Sequence, residues 1–402
     1  VGDSGADLLY NDQKMGAKNY RSEKLLGAAF LMATSAVGPG FLTQTTVFTG
    51  QLLTSFGFII LISVVIDLCV QFNIWQIITV SGKHAQDLAN ELFPGLGYLL
   101  ALLIVIGGLA FNIGNVAGAG LGIEAMTGLP VSVGAVGSAG LAIVIFLFRE
   151  AGKAMDIFSK ILGLIMIGLI LYIAYISQPP WLEAMHHTIF PERFDPVATL
   201  TLVGGTVGGY ISFAGAHRLL DSGVRGKEAL AQVNRAASTG ILLTAAIRYL
   251  LFLATLGIIM AGATINEDNP TASVFAHVAG SLGRQMFGLM IWAAAITSVV
   301  GAAYTSISFL RSFHPKIDKF HRQLTILFIL ISTLVFLLVG KPVKVLVFVG
   351  TLNGFVLPVA LSILLLAGRK ARLMGDYKHP LVLQVAGWIV VLVLIGLGVK
   401  LF

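Results

Sequence analysis

LLGAAFLMATSAVGPGFLTQTTVFTGQ, residues 25–51, is apolar almost throughout and is interrupted near its middle by Gly38-Pro39-Gly40. A second stretch, VATLTLVGGTVGGYISFAGAHRLL at residues 197–220, is interrupted by the cluster from Gly204 to Gly209. Lipid offers no hydrogen bond to a freed backbone N–H or C=O, so an unwound stretch at membrane depth persists only beside protein or a watery cavity. Two broken helices in equivalent positions of two halves mark the substrate site of a transporter built from inverted repeats. The breaks locate a site before they say what fills it.

Composition agrees with a bilayer setting. Hydrophobic residues make up 56% and charged residues 11% of the chain, against about one-quarter charged in soluble domains. Eleven stretches are long and apolar enough to cross: about 25–51, 52–80, 96–123, 132–148, 157–178, 197–220, 238–264, 283–310, 324–340, 343–367 and 381–402. None carries the cleavage pattern of a signal peptide. They divide as five, five and one, and an odd repeat length inverts the second unit relative to the first. The expected organisation is a cytoplasmic arm at 1–24, five-helix repeats at 25–178 and 197–367, and an eleventh helix at 381–402. The expected fold is all-α integral membrane, with helices 1 and 6 discontinuous.

A net charge of +7 invites a nucleic-acid partner, but the placement of the basic residues speaks against it. Of 26 Lys and Arg, 20 fall in the N-terminal arm and alternate loops, 5 in the remaining loops, and Arg248 lies within a span. That asymmetry places the N-terminus in the cytoplasm and the C-terminus outside, in a plasma (inner) membrane. The single cysteine, Cys69, lies in the second span and supports neither an intrachain disulfide nor a cysteine metal cluster. Gly118-Ala119-Gly120-Leu121-Gly122 follows no strand and sits inside a span, so it reads as a helix-packing surface rather than a nucleotide loop. No span presents an acid–base pair, a Ser–His pair or a metal triad, so neither an enzyme nor a cofactor is expected. The expected partners are a small-molecule substrate and the lipid bilayer, and the expected state is a monomer.

The GPG break, the eleven spans and the run Leu357-Pro358-Val359-Ala360-Leu361 in span ten together resemble the Nramp divalent-metal transporters, of the leucine-transporter-type fold. The resemblance runs from about Leu25 through span ten. It is closest to a divergent bacterial branch whose first span reads much like Ala33 to Phe41. It implies the fold, and then departs where the chemistry lies. Nramp metal sites resemble DPGN in span one; here Gly38 stands at the Asp position and Phe41 at the Asn position. Where span six of the family reads G-A-T-V-M-P-H, this chain has Gly204-Gly205-Thr206-Val207-Gly208-Gly209-Tyr210, with Gly208 at the Met and Tyr210 at the His. Gly350 takes the Gln position of span ten, and Asn112 and Asn115 take the acidic pair of span three.

Every group that would hold a metal or its proton has become neutral. A transition metal needs carboxylate, imidazole, amide or sulfur ligands converging on one point, and neither break offers an ionisable or sulfur group within a few residues. Gly38 and Gly208 instead remove side-chain volume, which is expected to enlarge the cavity between the breaks. The free amides opening each distal half-helix favour an anionic group. The expected solute is therefore small and organic, such as a carboxylate. Proteins of this branch look similar to ones linked with the use of 5-oxoproline or other small organic acids. The alternative is a divalent metal, Mn2+ or Mg2+, held through water by neutral oxygens. A channel or membrane-embedded enzyme is the third class, without a motif to support it.

The candidate substrate site comprises Ser35, Gly38, Pro39, Gly40, Phe41 and Gln44 at the first break, with Gly205, Thr206, Gly208, Gly209 and Tyr210 at the second. Ser and Thr in membrane helices more often bond their own preceding carbonyls. Asn112 and Asn115 serve equally well as packing contacts or as site residues. Thr297-Ser298 in span eight resembles the hydroxyl pair that helps bind sodium in the leucine-transporter-type fold, so Na+, H+ or no coupling ion all stay open. Arg248 in span seven and Asp67 in span two are charges inside the membrane. Arg248 either snorkels to the cytoplasmic side, balances a substrate anion or partners Asp67, and Asp67 either carries a proton or balances Arg248.

Overall fold

The computed structural model describes residues 37–400, which form helices throughout. In chain order these are α1 (Pro39–Leu52), the 3-10 turn Leu53–Ser55, α2 (Phe56–Ser81), α3 (Ala85–Leu92), α4 (Leu96–Thr127), α5 (Val131–Leu147), α6 (Arg149–Ile176), α7 (Trp181–Ile189), α8 (Pro196–Val207) and α9 (Gly209–Asp221). There follow the turn Lys227–Ala229, α10 (Leu230–Met260), α11 (Pro270–Ser308), the turn Arg311–Phe313, α12 (Pro315–Lys319), α13 (His321–Val339), α14 (Pro342–Ala367), α15 (Ala371–Met374) and α16 (Leu381–Val399). The arm at 1–24, the first half of span one and Ser35 lie outside the described residues.

Nine segments among the described residues are long and apolar enough to cross a membrane. The first, Pro39–Ser81, holds the second half of span one together with span two, separated at Leu53, where φ is 49° and ψ is −130°. The expected fourth span, α5, is shorter at 17 residues. Sequence reading missed α3 and α7, helices of 8 and 9 residues on the connections. It placed the start of span eight near 283, and the structure gives the reason. Ala279 and Gly280 leave helical geometry within α11, and Gly280 takes a φ of 59°.

Both breaks take shape from local chemistry. Gly38 is extended (φ −98°, ψ −175°) and Pro39 opens α1, a position where its missing N–H costs nothing. In span six the interruption is narrower than the glycine cluster suggests. Gly204 to Val207 remain helical, Gly208 alone is extended (φ −49°, ψ 165°), and α9 restarts at Gly209. The freed groups find side-chain partners. Ser212 Oγ donates to the Val207 carbonyl at 2.8 Å, and Asn353 Oδ1 accepts from the Tyr210 N–H at 3.4 Å.

Small residues set the helix spacing. A Cβ on Gly122 would stand 2.7 Å from the Gly288 carbonyl oxygen, and one on Gly118 would strike the Pro39 ring. The glycine run of α4 is thus a packing face against α11 and α1, as its place inside a span implied. A Cβ on Gly354 would reach 2.5 Å from the Leu200 carbonyl oxygen, which fixes α14 against α8. Beyond the bilayer segments, His379 ties the α15–α16 connection to α2 through Asn73 Oδ1 at 2.8 Å. Burial holds its imidazole pKa down at about 4.

Candidate functional site

A narrow cavity, open on one side, lies between α1, α4, α8, α11 and α14. Its lining brings together Gly38, Gly40, Phe41 and Gln44 from the first break, Gly205 from before the second, Asn115 of α4 and Ser298 of α11. Phe111, Gly114, Leu346 and Val349 complete the wall. Gly38 adds to this space: among the described residues, none lies within 4 Å of a Cβ built there. Gln44 Nε2 donates to the Leu346 carbonyl at 2.8 Å, while its Oε1 and the Asn115 Nδ2 are buried with no partner. Glycine at 350 makes room for that amide, since a Cβ there would lie 2.6 Å from Gln44 Nε2. The result is a mostly apolar pocket with two unspent amide groups and one hydroxyl.

Several expected site residues stand elsewhere. The added volume expected at Gly208 is not present, because Asn353 fills it; a Cβ at Gly208 would be 2.6 Å from Asn353 Cβ and would collide with the Gly204 carbonyl. Gly209 packs on Val356, and Pro39 sits under Gly118. Tyr210 is buried outside the cavity lining, with its hydroxyl 3.4 Å from the Ala302 carbonyl and its ring 5.9 Å from that of Phe111. Asn112 turns away and donates to Ser332 Oγ at 3.0 Å. Thr297 donates back to the Ala293 and Ala294 carbonyls, so only Ser298 of that pair reaches the cavity.

Asn353 escaped the sequence reading. It is fully buried in α14, donates to the Gly107 and Val349 carbonyls at 3.2 and 3.1 Å, and caps the restart of α9. An amide in the middle of an apolar span, followed by Gly354, was the available signal.

Arg248 does not snorkel. It is 3% exposed near the middle of α10, where a charge is costly unless compensated. Nη1 donates to Thr206 Oγ1 at 3.0 Å, one residue from the end of α8. The guanidinium carbon lies 4.2 Å from the centroid of the Phe41 ring, which lines the cavity. One side chain therefore touches both broken helices at their breaks. Its Nε and Nη2 are buried without a hydrogen-bond partner. Asp67 lines a second, smaller space together with Arg248 and Thr206.

Among the described residues, α1 opening at Pro39 and span six broken at Gly208 frame a half-buried cavity within a bundle of long apolar helices, the arrangement of the leucine-transporter-type fold. Solved structures share it. A mutant of the Eremococcus coleocola manganese transporter superposes with a TM-score of 0.67 at 18% identity, covering 92% of this chain and 84% of that one. MhsT in complex with L-phenylalanine gives 0.65 at 17%, covering 94% and 98%. Mhp1, a nucleobase-cation-symport-1 family transporter with bromovinylhydantoin bound, gives 0.55 at 16%, covering 92% and 91%. The Nramp (natural resistance-associated macrophage protein-like) family model matches residues 29–402, and the chain belongs to that family of transporters. Among its relatives are YcsG, an uncharacterized membrane protein of Bacillus subtilis, 55% identical over 375 residues and 93% of each chain, and an uncharacterized membrane protein of Haemophilus influenzae. The latter is 53% identical over 386 residues, 96% of this chain and 97% of its own.

Proposed function

We propose that this transporter imports a small organic anion, a carboxylate of the size of 5-oxoproline, by alternating access across the plasma membrane, with its N-terminus cytoplasmic and its C-terminus outside. The fold does not choose the solute, since it serves a manganese transporter in one relative and holds L-phenylalanine in another. The lining argues for the choice. The observation that carries the reading is the buried Arg248 guanidinium, with two unpaired nitrogens, laid against the Phe41 ring that lines a neutral cavity. A positive charge there attracts an anion and repels a divalent cation. Gln44 Oε1, Asn115 Nδ2 and Ser298 supply neutral hydrogen bonds that fix orientation, which is how small-molecule sites achieve specificity.

Uptake of labelled L-5-oxoproline into proteoliposomes, with carboxylate and neutral-amide competitors, tests this reading. Carboxylates are expected to compete and amides to fail. Arg248→Gln is expected to weaken carboxylate affinity tenfold or more, about 1.4 kcal/mol. Saturable Mn2+ uptake that is lost in Gln44→Ala, with no carboxylate competition, would return the chain to the metal chemistry its family is named for.

A further inference from the structure

The second, smaller space between α2, α8 and α10 has opposite charges in its wall. Asp67 is 1% exposed and its Oδ1 has no hydrogen-bond partner. Arg248, across the same space, keeps Nε and Nη2 unpaired. The two do not form an ion pair within 4.0 Å; the guanidinium is engaged instead by Thr206 and the Phe41 ring. The hydroxyls nearby are spent on their own helices, Ser63 on the Ile60 carbonyl at 2.9 Å and Thr244 on the Gly240 carbonyl at 2.8 Å. Of the helices packed on α2, neither α1, α8 nor α16 carries a charged or titratable side chain. Among the charged groups of α7, α9, α10, α14, α15 and the turn Lys227–Ala229, Arg248 is the one that faces Asp67.

We propose that Asp67 binds the coupled proton, and that its charge state decides where the Arg248 guanidinium goes. With Asp67 ionised and no solute, the guanidinium turns across the small cavity to the carboxylate, and the buried charge sums to zero. With Asp67 protonated from the external water, the guanidinium stays on the broken helices and pairs with the incoming anion, and the sum is again zero. The other two combinations, solute anion with ionised Asp67 and empty carrier with neutral Asp67, bury a net charge at membrane depth, which is strongly disfavoured. Only the two neutral forms cross between outward and inward states, so one proton travels with one anion. Release of both on the cytoplasmic side restores the ion pair. The second half of this cycle rests on the anionic-solute reading; the Asp67–Arg248 exchange rests on the geometry alone.

Infrared difference spectroscopy of the protein in lipid, scanned over pH, tests the exchange without any solute. A protonated-carboxyl carbonyl band that titrates in the wild type is expected to vanish in Asp67→Asn. In Arg248→Gln the midpoint is expected to rise by about one pH unit or more, because the cation that favours the carboxylate is gone. Absence of an Asp67-dependent band, or a midpoint unmoved in Arg248→Gln, overturns the proposal. In proteoliposomes with L-5-oxoproline, an acid-outside gradient is expected to drive accumulation by the wild type. Asp67→Asn is expected to keep solute counterflow within about threefold while losing gradient-driven accumulation, the neutral amide standing for the protonated acid. Wild-type accumulation by Asp67→Asn refutes the proton site. A wild type that ignores 5-oxoproline refutes the carboxylate reading, and the infrared titration then decides the exchange alone.

Discussion

Alanine at Gly38 and at Gly208 should separate the break that opens the cavity from the break that is packed shut. At Gly208 the added Cβ meets Asn353 Cβ at 2.6 Å and the Gly204 carbonyl, which is helix backbone and cannot rotate aside. Overpacking of this kind costs about 1–3 kcal/mol. Moving Asn353 also strains its bond from the Tyr210 N–H, worth about 1 kcal/mol. The sum is roughly 2–4 kcal/mol. At Gly38 the new methyl meets none of the described residues within 4 Å, and φ of −98° suits any L-residue. Stability there should hold or rise by about 0.4–1 kcal/mol through the unfolded chain. Melting of both variants in detergent, paired with solute uptake, measures this. The expected pattern is a lower melting temperature for Gly208→Ala only, and altered uptake with intact folding for Gly38→Ala. A stable Gly208→Ala beside a destabilised Gly38→Ala would refute the assignment of the open space to the first break.

Three further outcomes are expected. Asn353→Ala leaves the Tyr210 N–H without its partner in a buried place, so melting should show a loss of about 1–3 kcal/mol; unchanged melting would show that α9 needs no cap. Replacing external Na+ by choline should leave uptake unchanged, and a Na+ requirement abolished by Ser298→Ala would move the coupling ion into the cavity. His379, held near 4 against an ordinary 6.5, binds fewer protons folded than unfolded. Its contribution is therefore complete above pH 6.5 and declines as pH falls toward 4, by about 2 kcal/mol between pH 7 and 5. His379→Gln should flatten that decline in a melting series.

The fold was legible because lipid leaves a chain so few options. Apolar length and two glycine-broken segments each rest on the same missing water, and α1, α8 and α9 begin and end where those signals fall. The cavity was half legible. Gly38, Gly40, Phe41, Gln44 and Gly205 line it as neighbours of the breaks, since sequence proximity to a break is spatial proximity to the site. Gly208 misled, because a missing side chain signals equally a space to be filled by ligand or by protein, and only the position of Asn353 on α14 decides which. Tyr210 misled for a related reason: a residue one step past a break shares its height but not its facing. The sequence offered Asp67 as one possible partner of Arg248; that the two line the same small space needed tertiary placement, as α2 and α10 are far apart in sequence.

The neutral breaks and the buried arginine beside them form one electrostatic pattern. The family pattern that this chain resembles puts carboxylate, thioether and imidazole at the breaks, a set suited to a cation. Here those positions are Gly38, Gly208 and Tyr210, and a full charge stands beside both breaks, the guanidinium touching Thr206 and Phe41. Neutralising the ligands alone would leave a cavity indifferent to charge. With Arg248 beside the breaks the potential is positive, and a buried positive charge then requires an anion in every state of the cycle. The solute meets that requirement when bound. Something else must meet it when the carrier is empty, and Asp67, across a small cavity from the same guanidinium, is the carboxylate placed to do so.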